Sequence, residues 1–130
     1  MATRIRQKAE KRQANKDTRP YARANHVRMS SSKVRIVLDL IRGKKVNVAV
    51  ATLENMPDFA AREALKVLKS AIANAENNMG KNAETLYVAE CYSNDGPQLK
   101  RIHYAGKGSA NRILKKTSHI TIVLDEVVGG

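Results

Sequence analysis

The 130-residue chain has no tryptophan, one phenylalanine, three prolines and one cysteine. A lone Cys91 excludes an internal disulfide and any cysteine-clustered zinc site, and it suits a reducing compartment. Aromatic residues make up only 4% of the chain, so aliphatic side chains must pack the interior. Acidic residues are scarce as well. Twelve of them face 24 lysines and arginines, and the formal net charge of +12 asks for a polyanionic partner. No apolar run approaches the roughly 18 residues of a membrane span, and the basic start of the chain lacks the apolar stretch of a secretory signal. No membrane association is expected.

Signatures of chemistry are missing too. His26, His103 and His119 show no metal-ligand spacing, and no phosphate-binding loop of the G-x-x-x-x-G-K-S/T kind exists. Ser30-Ser31-Ser32 lacks the G-x-S-x-G setting of a nucleophile, and no carboxylates converge for acid/base work. The expectation is no metal, no cofactor, no catalytic residue and no enzyme. At 42% hydrophobic and 28% charged, the chain is nevertheless too apolar to be wholly disordered. One compact domain with a modest core fits its length.

The charge is concentrated. Residues 1–28 hold nine basic and two acidic residues, 29–53 five and one, 54–95 four and seven, and 96–116 six basic residues and no acid. A near-neutral scaffold with a basic tail, a basic first helix and a basic late segment is an electrostatic footprint with several prongs. Residues 1–20 carry seven cations and Ile5 as their main aliphatic, so they read as an arm that anchors no core.

From Ser30 the pattern turns helical. A serine cap precedes Val34, Val37, Leu38 and Ile41, and Gly43 is a stop signal. Asn47 caps a short second helix with Val50 and Leu53 inward, and Pro57-Asp58 opens a third. Along the third, Ala61, Ala64, Leu65, Leu68, Ile72, Ala75 and Met79 form a stripe up to Gly80.

From Thr85 the period is two. Leu86 and Val88 face one way, Tyr87, Ala89 and Cys91 the other, and Ile120, Ile122 and Leu124 mark a second strand, antiparallel to the first. The 21 residues between, Gly96 to Lys116, are too many for a structureless loop. They read as a long hairpin reversing at Gly106 and Gly108, with arms of about ten residues reaching roughly 30 Å. So basic a finger is unstable alone, and a partner must surround it. Tyr21, Tyr104, His26 and His103 lie within basic runs as stacking groups for RNA bases. Architectural DNA binding, helix-turn-helix regulation and nucleic-acid processing are the rivals. The first lacks a proline wedge at the finger tip, the second a basic recognition helix, the third a convergent site.

Four strings carry a resemblance: VRMSSSKVRIVLDLIRGK (27–44), LKVLKSAIANAENN (65–78), LYVAECYSNDGPQLKRI (86–102) and RILKKTSHITIVL (112–124). In this order and spacing the chain resembles the bacterial ribosomal protein twenty-two family of the large subunit, over about residues 21–126. The resemblance implies an α+β fold of three helices packed on a small antiparallel sheet with a long protruding β-hairpin. It implies large-subunit ribosomal RNA, neighbouring ribosomal proteins and the nascent polypeptide as partners, in a cytoplasmic bacterial-type ribosome and without independent homo-oligomers.

By the same resemblance the tip, Leu99, Lys100, Arg101, Ile102, His103, Tyr104, Ala105, Gly106, Lys107 and Gly108, lines the polypeptide exit tunnel beside ribosomal protein four. Arg112, Lys115, Lys116, Ser118 and His119 lie on the RNA-packed returning arm. Lys33, Arg35, Arg42, Lys44 and Lys45 face RNA from the globular part. Arg19, Arg23, His26 and Arg28 complete the expected RNA-binding set, with Lys100, Arg101 and Lys107 at the tip. Two departures stand out: family members commonly carry proline and further arginines through the tip, where this chain has His103 to Ala110, and Ser31 replaces a frequent proline. Residues 1–20 are an extension beyond the usual family start, and 21–130 form one RNA-binding domain.

Overall fold

In the computed structural model, which describes residues 2–127, the elements follow one another as α1 (Ala2–Ala14), β1 (Tyr21–Val27), α2 (Ser31–Ile41), α3 (Val46–Asn55), α4 (Phe59–Ala73), β2 (Leu86–Asp95), β3 (Leu99–Ala105), β4 (Ser109–Lys115) and β5 (Ser118–Glu126). The expected chain limits at residues 1 and 130 lie outside the described residues. The class is α+β as expected, with a fourth helix, α1, in the stretch read as an arm that anchors no core. Its alanines, lysines, arginines and glutamines favour a helix locally, and no core is needed for that. From Thr3 to Ala14 every residue of α1 is exposed.

Three strands form the sheet in the order β1-β5-β2, both pairings antiparallel. The pairing of β2 with β5 agrees with the period-two reading. Strand β1 is an addition, and it was hidden because the one residue this edge strand buries fully is Ala22, with Ala24 and Val27 covered only in part. Helices α2, α3 and α4 pack on one face of the sheet. Val34, Leu38, Ile41, Leu53, Leu68, Leu86, Val88, Ile120, Ile122 and Leu124 are the heart of that core.

Two phase errors in the sequence reading have physical causes. Val88 pairs with Leu124 and Glu90 with Val123, so Ala89 is a bulge without a partner. Beyond it the alternation flips, and Cys91 and Ser93 turn into the same buried face as Leu86 and Val88 rather than away from it. In α4 the buried positions are Ala60, Ala61, Ala64, Val67, Leu68 and Ala71, while Leu65 and Ile72 are half-buried. The helix runs into a π-type turn, Asn74–Asn78, whose wider winding keeps Ala75 inside and leaves Met79 exposed. Helix α3 starts two residues earlier than expected: Lys45 is its cap, Val46 is buried within it, and Ala49 joins Leu53 in the core, with Val50 partly buried against it.

Helix α2 matches its expected stripe, although the Ser30 hydroxyl shares a 2.9 Å hydrogen bond with Ser32 instead of capping a backbone N–H. After it, Gly43 adopts φ +78°, a left-handed turn that a side chain would strain. Its N–H donates to the Val88 carbonyl and the Val88 N–H to the Lys44 carbonyl, both at 2.9 Å, so this loop is stitched to β2.

Candidate nucleic-acid interface

The late basic segment leaves the sheet through a tight root. Gly96 N–H donates to the Thr117 carbonyl (2.9 Å), and the Thr117 hydroxyl donates to the Pro97 carbonyl (2.6 Å). A Cβ on Gly96 would lie 2.5 Å from Thr117 Oγ1, so the two chains run this close only because residue 96 is glycine. Beyond the root β3 and β4 form a separate two-stranded ladder of seven pairs, from Leu99↔Lys115 to Ala105↔Ser109. Arms of this length reach about 23 Å, less than the expected 30. The reversal is Gly106-Lys107-Gly108, with Lys107 (φ 63°) and Gly108 (φ 74°) left-handed.

Register assigns the faces. Leu99, Arg101 and His103 share one with Ile113 and Lys115; Lys100, Ile102 and Tyr104 share the other with Arg112 and Leu114. Every residue of both strands except Ala105 is exposed. Each face therefore mixes cations with apolar or aromatic groups, a surface fitted to phosphates and base planes together.

Where the hairpin root meets α2, a cleft of about 510 Å³ is lined by Arg28, Met29, Ser30, Ser32, Lys33, Leu114, Lys115 and Lys116. The Arg28 guanidinium donates to the Lys116 carbonyl (2.9 Å), which ties the end of β1 to the hairpin. Four cationic side chains and the positive end of the α2 dipole converge there, and the chemistry of such a place is anion binding.

The remaining expected RNA-contact residues divide into free and committed groups. Arg23, Lys33, Lys44, Lys45, Lys100, Arg101, Lys107, Arg112, Lys115 and Lys116 are exposed and make no ion pair among the described residues. Arg35 instead donates to the Ser93 carbonyl (3.2 and 3.3 Å). Arg42 pairs with Asp39 (2.5 Å) and donates to the Cys91 carbonyl (2.8 Å), and the Asp39 contact raises its pKa. Arg19 bridges Asp17 (2.7 Å) and Glu90 (3.2 Å). Hydrogen bonds from Arg19 hold the Asp17 carboxyl at about 2.

His26, at φ 59° in a bulge of β1, donates its N–H to His119 Nδ1 (3.0 Å), and the two rings meet edge to face at 4.9 Å. Ser118 requires a correction: it is fully buried in the middle strand, so it offers no surface to RNA. Cys91 is also interior, donating to the Leu38 carbonyl, and burial pushes its thiol pKa up. Sequence reading did not single out Tyr92, which is exposed on β2. Strict period two from Leu86 would place it on the buried face, and the bulge at Ala89 turns it out.

The sequence profile described as ribosomal protein L22p/L17e matches residues 22–125. The chain belongs to this family. Among curated relatives, the "Large ribosomal subunit protein uL22" of Agathobacter rectalis is 53% identical over 121 residues, covering 89% of this chain and 92% of that one. The protein of the same name from Clostridium novyi is 54% identical over 103 residues (79% and 93%), and that from Latilactobacillus sakei 53% over 113 (87% and 97%). Membership in the L22p/L17e family makes the chain a structural ribosomal protein and not an enzyme. It works in the cytoplasmic, bacterial-type ribosome, among ribosomal RNA and other ribosomal proteins. Among the described residues, no helix is long and apolar enough to cross a membrane.

Proposed function

We propose that this protein binds and braces large-subunit ribosomal RNA during assembly, and that its hairpin tip, Leu99 to Gly108, lines the polypeptide exit tunnel beside ribosomal protein four, in contact with the nascent chain. The observation that carries the reading is the hairpin itself: seven pairs exposed at every residue but Ala105, six basic residues and no acid from Gly96 to Lys116, and, among the described residues, no second layer to pack on. Such a ribbon is marginal in water and stable when RNA encloses it. Its lysines and arginines replace counterions between crowded phosphates, while the cleft at the root of α2 fixes orientation. The N-terminal arm is an accessory contact, since α1 is exposed from Thr3 to Ala14 and packs on no core.

Deletion of Leu99, Lys100 and Arg101 tests the assignment. These residues lie beyond the core, so the domain keeps its stability, but removing an odd number from one strand inverts the face of everything distal to the cut. The expected outcome is assembled subunits with altered chemical footprints on tunnel RNA and an altered response to tunnel-binding macrolides. Unchanged footprints and drug response, with the variant verified in the particle, would sink the tunnel assignment.

A further inference from the structure

Helices α2 to α4 cover one face of the β1-β5-β2 sheet, and among the described residues no helix packs on the other. Its composition follows from register. Arg23 lies opposite Thr121, and Thr121 opposite Tyr92; Tyr21 lies opposite Val123, and Val123 opposite Glu90. Residues directly opposite share a face, so these two rows cross the outer surface. Thr121 and Val123 are only 3% and 7% exposed and form a floor, whereas Tyr21 (54%) and Tyr92 (39%) stand exposed on the flanking strands. Those strands lie two spacings apart, roughly 10 Å.

The charge along this face is graded. At the hairpin end sit Arg23 and the His26–His119 pair; at the far end lies Asp125, and Glu90 between them is already paired with Arg19. A polyanion is therefore drawn to the half that carries Tyr92 and Arg23. Ring faces beside a guanidinium and imidazoles suit bases that are not already stacked in a helix.

We propose that this open sheet face is a second RNA site, which binds an unpaired segment by stacking bases on Tyr92 and Tyr21 while Arg23 holds the adjoining phosphate. The inference rests on the RNA-binding reading and adds a different mode to it. The α2 cleft acts through charge alone, whereas the sheet reads unstacked bases and gains nothing from a duplex.

The test uses the full chain with two probes, an unstructured oligouridylate and an RNA duplex of equal length, titrated over a range of salt. Tyr92→Leu and Tyr21→Leu should each weaken oligouridylate binding about five- to tenfold, the lower part of what base–aromatic stacking supplies. Duplex binding and the salt slope should stay unchanged. Tyr92→Phe and Tyr21→Phe, which keep the ring and the fold, should bind as the parent chain does. A 4-thiouridine strand should crosslink to β1 and β2. Leucine variants that bind oligouridylate normally, or crosslinks confined to the hairpin, would overturn the proposal. Normal RNA binding by the leucine variants together with poor incorporation into subunits would give the face to a neighbouring protein, and overturn it as well. If the parent chain shows no salt-dependent binding to either probe, the underlying RNA-binding reading fails first.

Discussion

The three-stranded sheet and the two-stranded hairpin are built from similar alternating segments, yet they are different physical objects. In the sheet, Ile120, Ile122 and Leu124 are fully buried under α2 to α4; in the hairpin, Ile102 is 61% exposed, and Leu99, Ile113 and Leu114 also lie in the open. Apolar content does not separate them. The presence of a second layer does, because a strand's apolar face contributes stability only when something covers it. The body carries its own cover, and the hairpin awaits one.

That contrast can be broken first in the core. Ile122→Ala should cost about 2–5 kcal/mol in urea unfolding of the isolated protein, whereas Ile113→Ala on the hairpin should stay within about 0.5 kcal/mol. Equal costs would mean that the hairpin packs on the body. The junction comes next: Gly96→Ala forces a Cβ against the hydrogen-bonded Thr117 hydroxyl. Overpacking of this kind should lower stability by about 1–3 kcal/mol, read as a lower urea midpoint.

A charge change sharpens the comparison from the other side. Lys115→Ala with Lys116→Ala should leave unfolding unchanged but lower the salt slope of RNA binding by about two, one for each phosphate no longer neutralised. The smallest effect is expected at Asp17. Its pKa of about 2 lies below the ordinary 3.8, so the stabilisation from its pairing with Arg19 is fully present above pH 3.8 and disappears as pH falls through 2. Both groups are solvent-screened, so Asp17→Asn should lower the neutral-pH midpoint only slightly, and the two chains should converge once acid has protonated the parent's carboxyl.

Much of this was legible in the chain. The stripe of α2, the reversal at Gly106 and Gly108, and the β2–β5 pairing are local patterns that tertiary packing reinforces. Strand β1 was not, because Ala22 and Ala24 are too small to write a visible alternation. Nor was the bulge at Ala89: an extra residue changes which face Cys91 takes without changing the composition around it. The basic candidates were visible as residues but not as partners. Arg19, Arg35 and Arg42 look like any other cation in sequence, and only the fold shows them tied to Glu90, Ser93 and Cys91.

The position of β5 has a consequence for synthesis. It is the last strand of the chain and the middle one of the sheet, and β1 and β2 touch it rather than each other. From Asp95 until Ser118 a growing chain therefore holds both edges with nothing to join them. Its helices meanwhile have no completed floor to pack on. Closure is a late, long-range event, the kind that slows folding and leaves apolar surface uncovered while it waits. A chain cut short before Ser118 loses not an edge strand but the sheet.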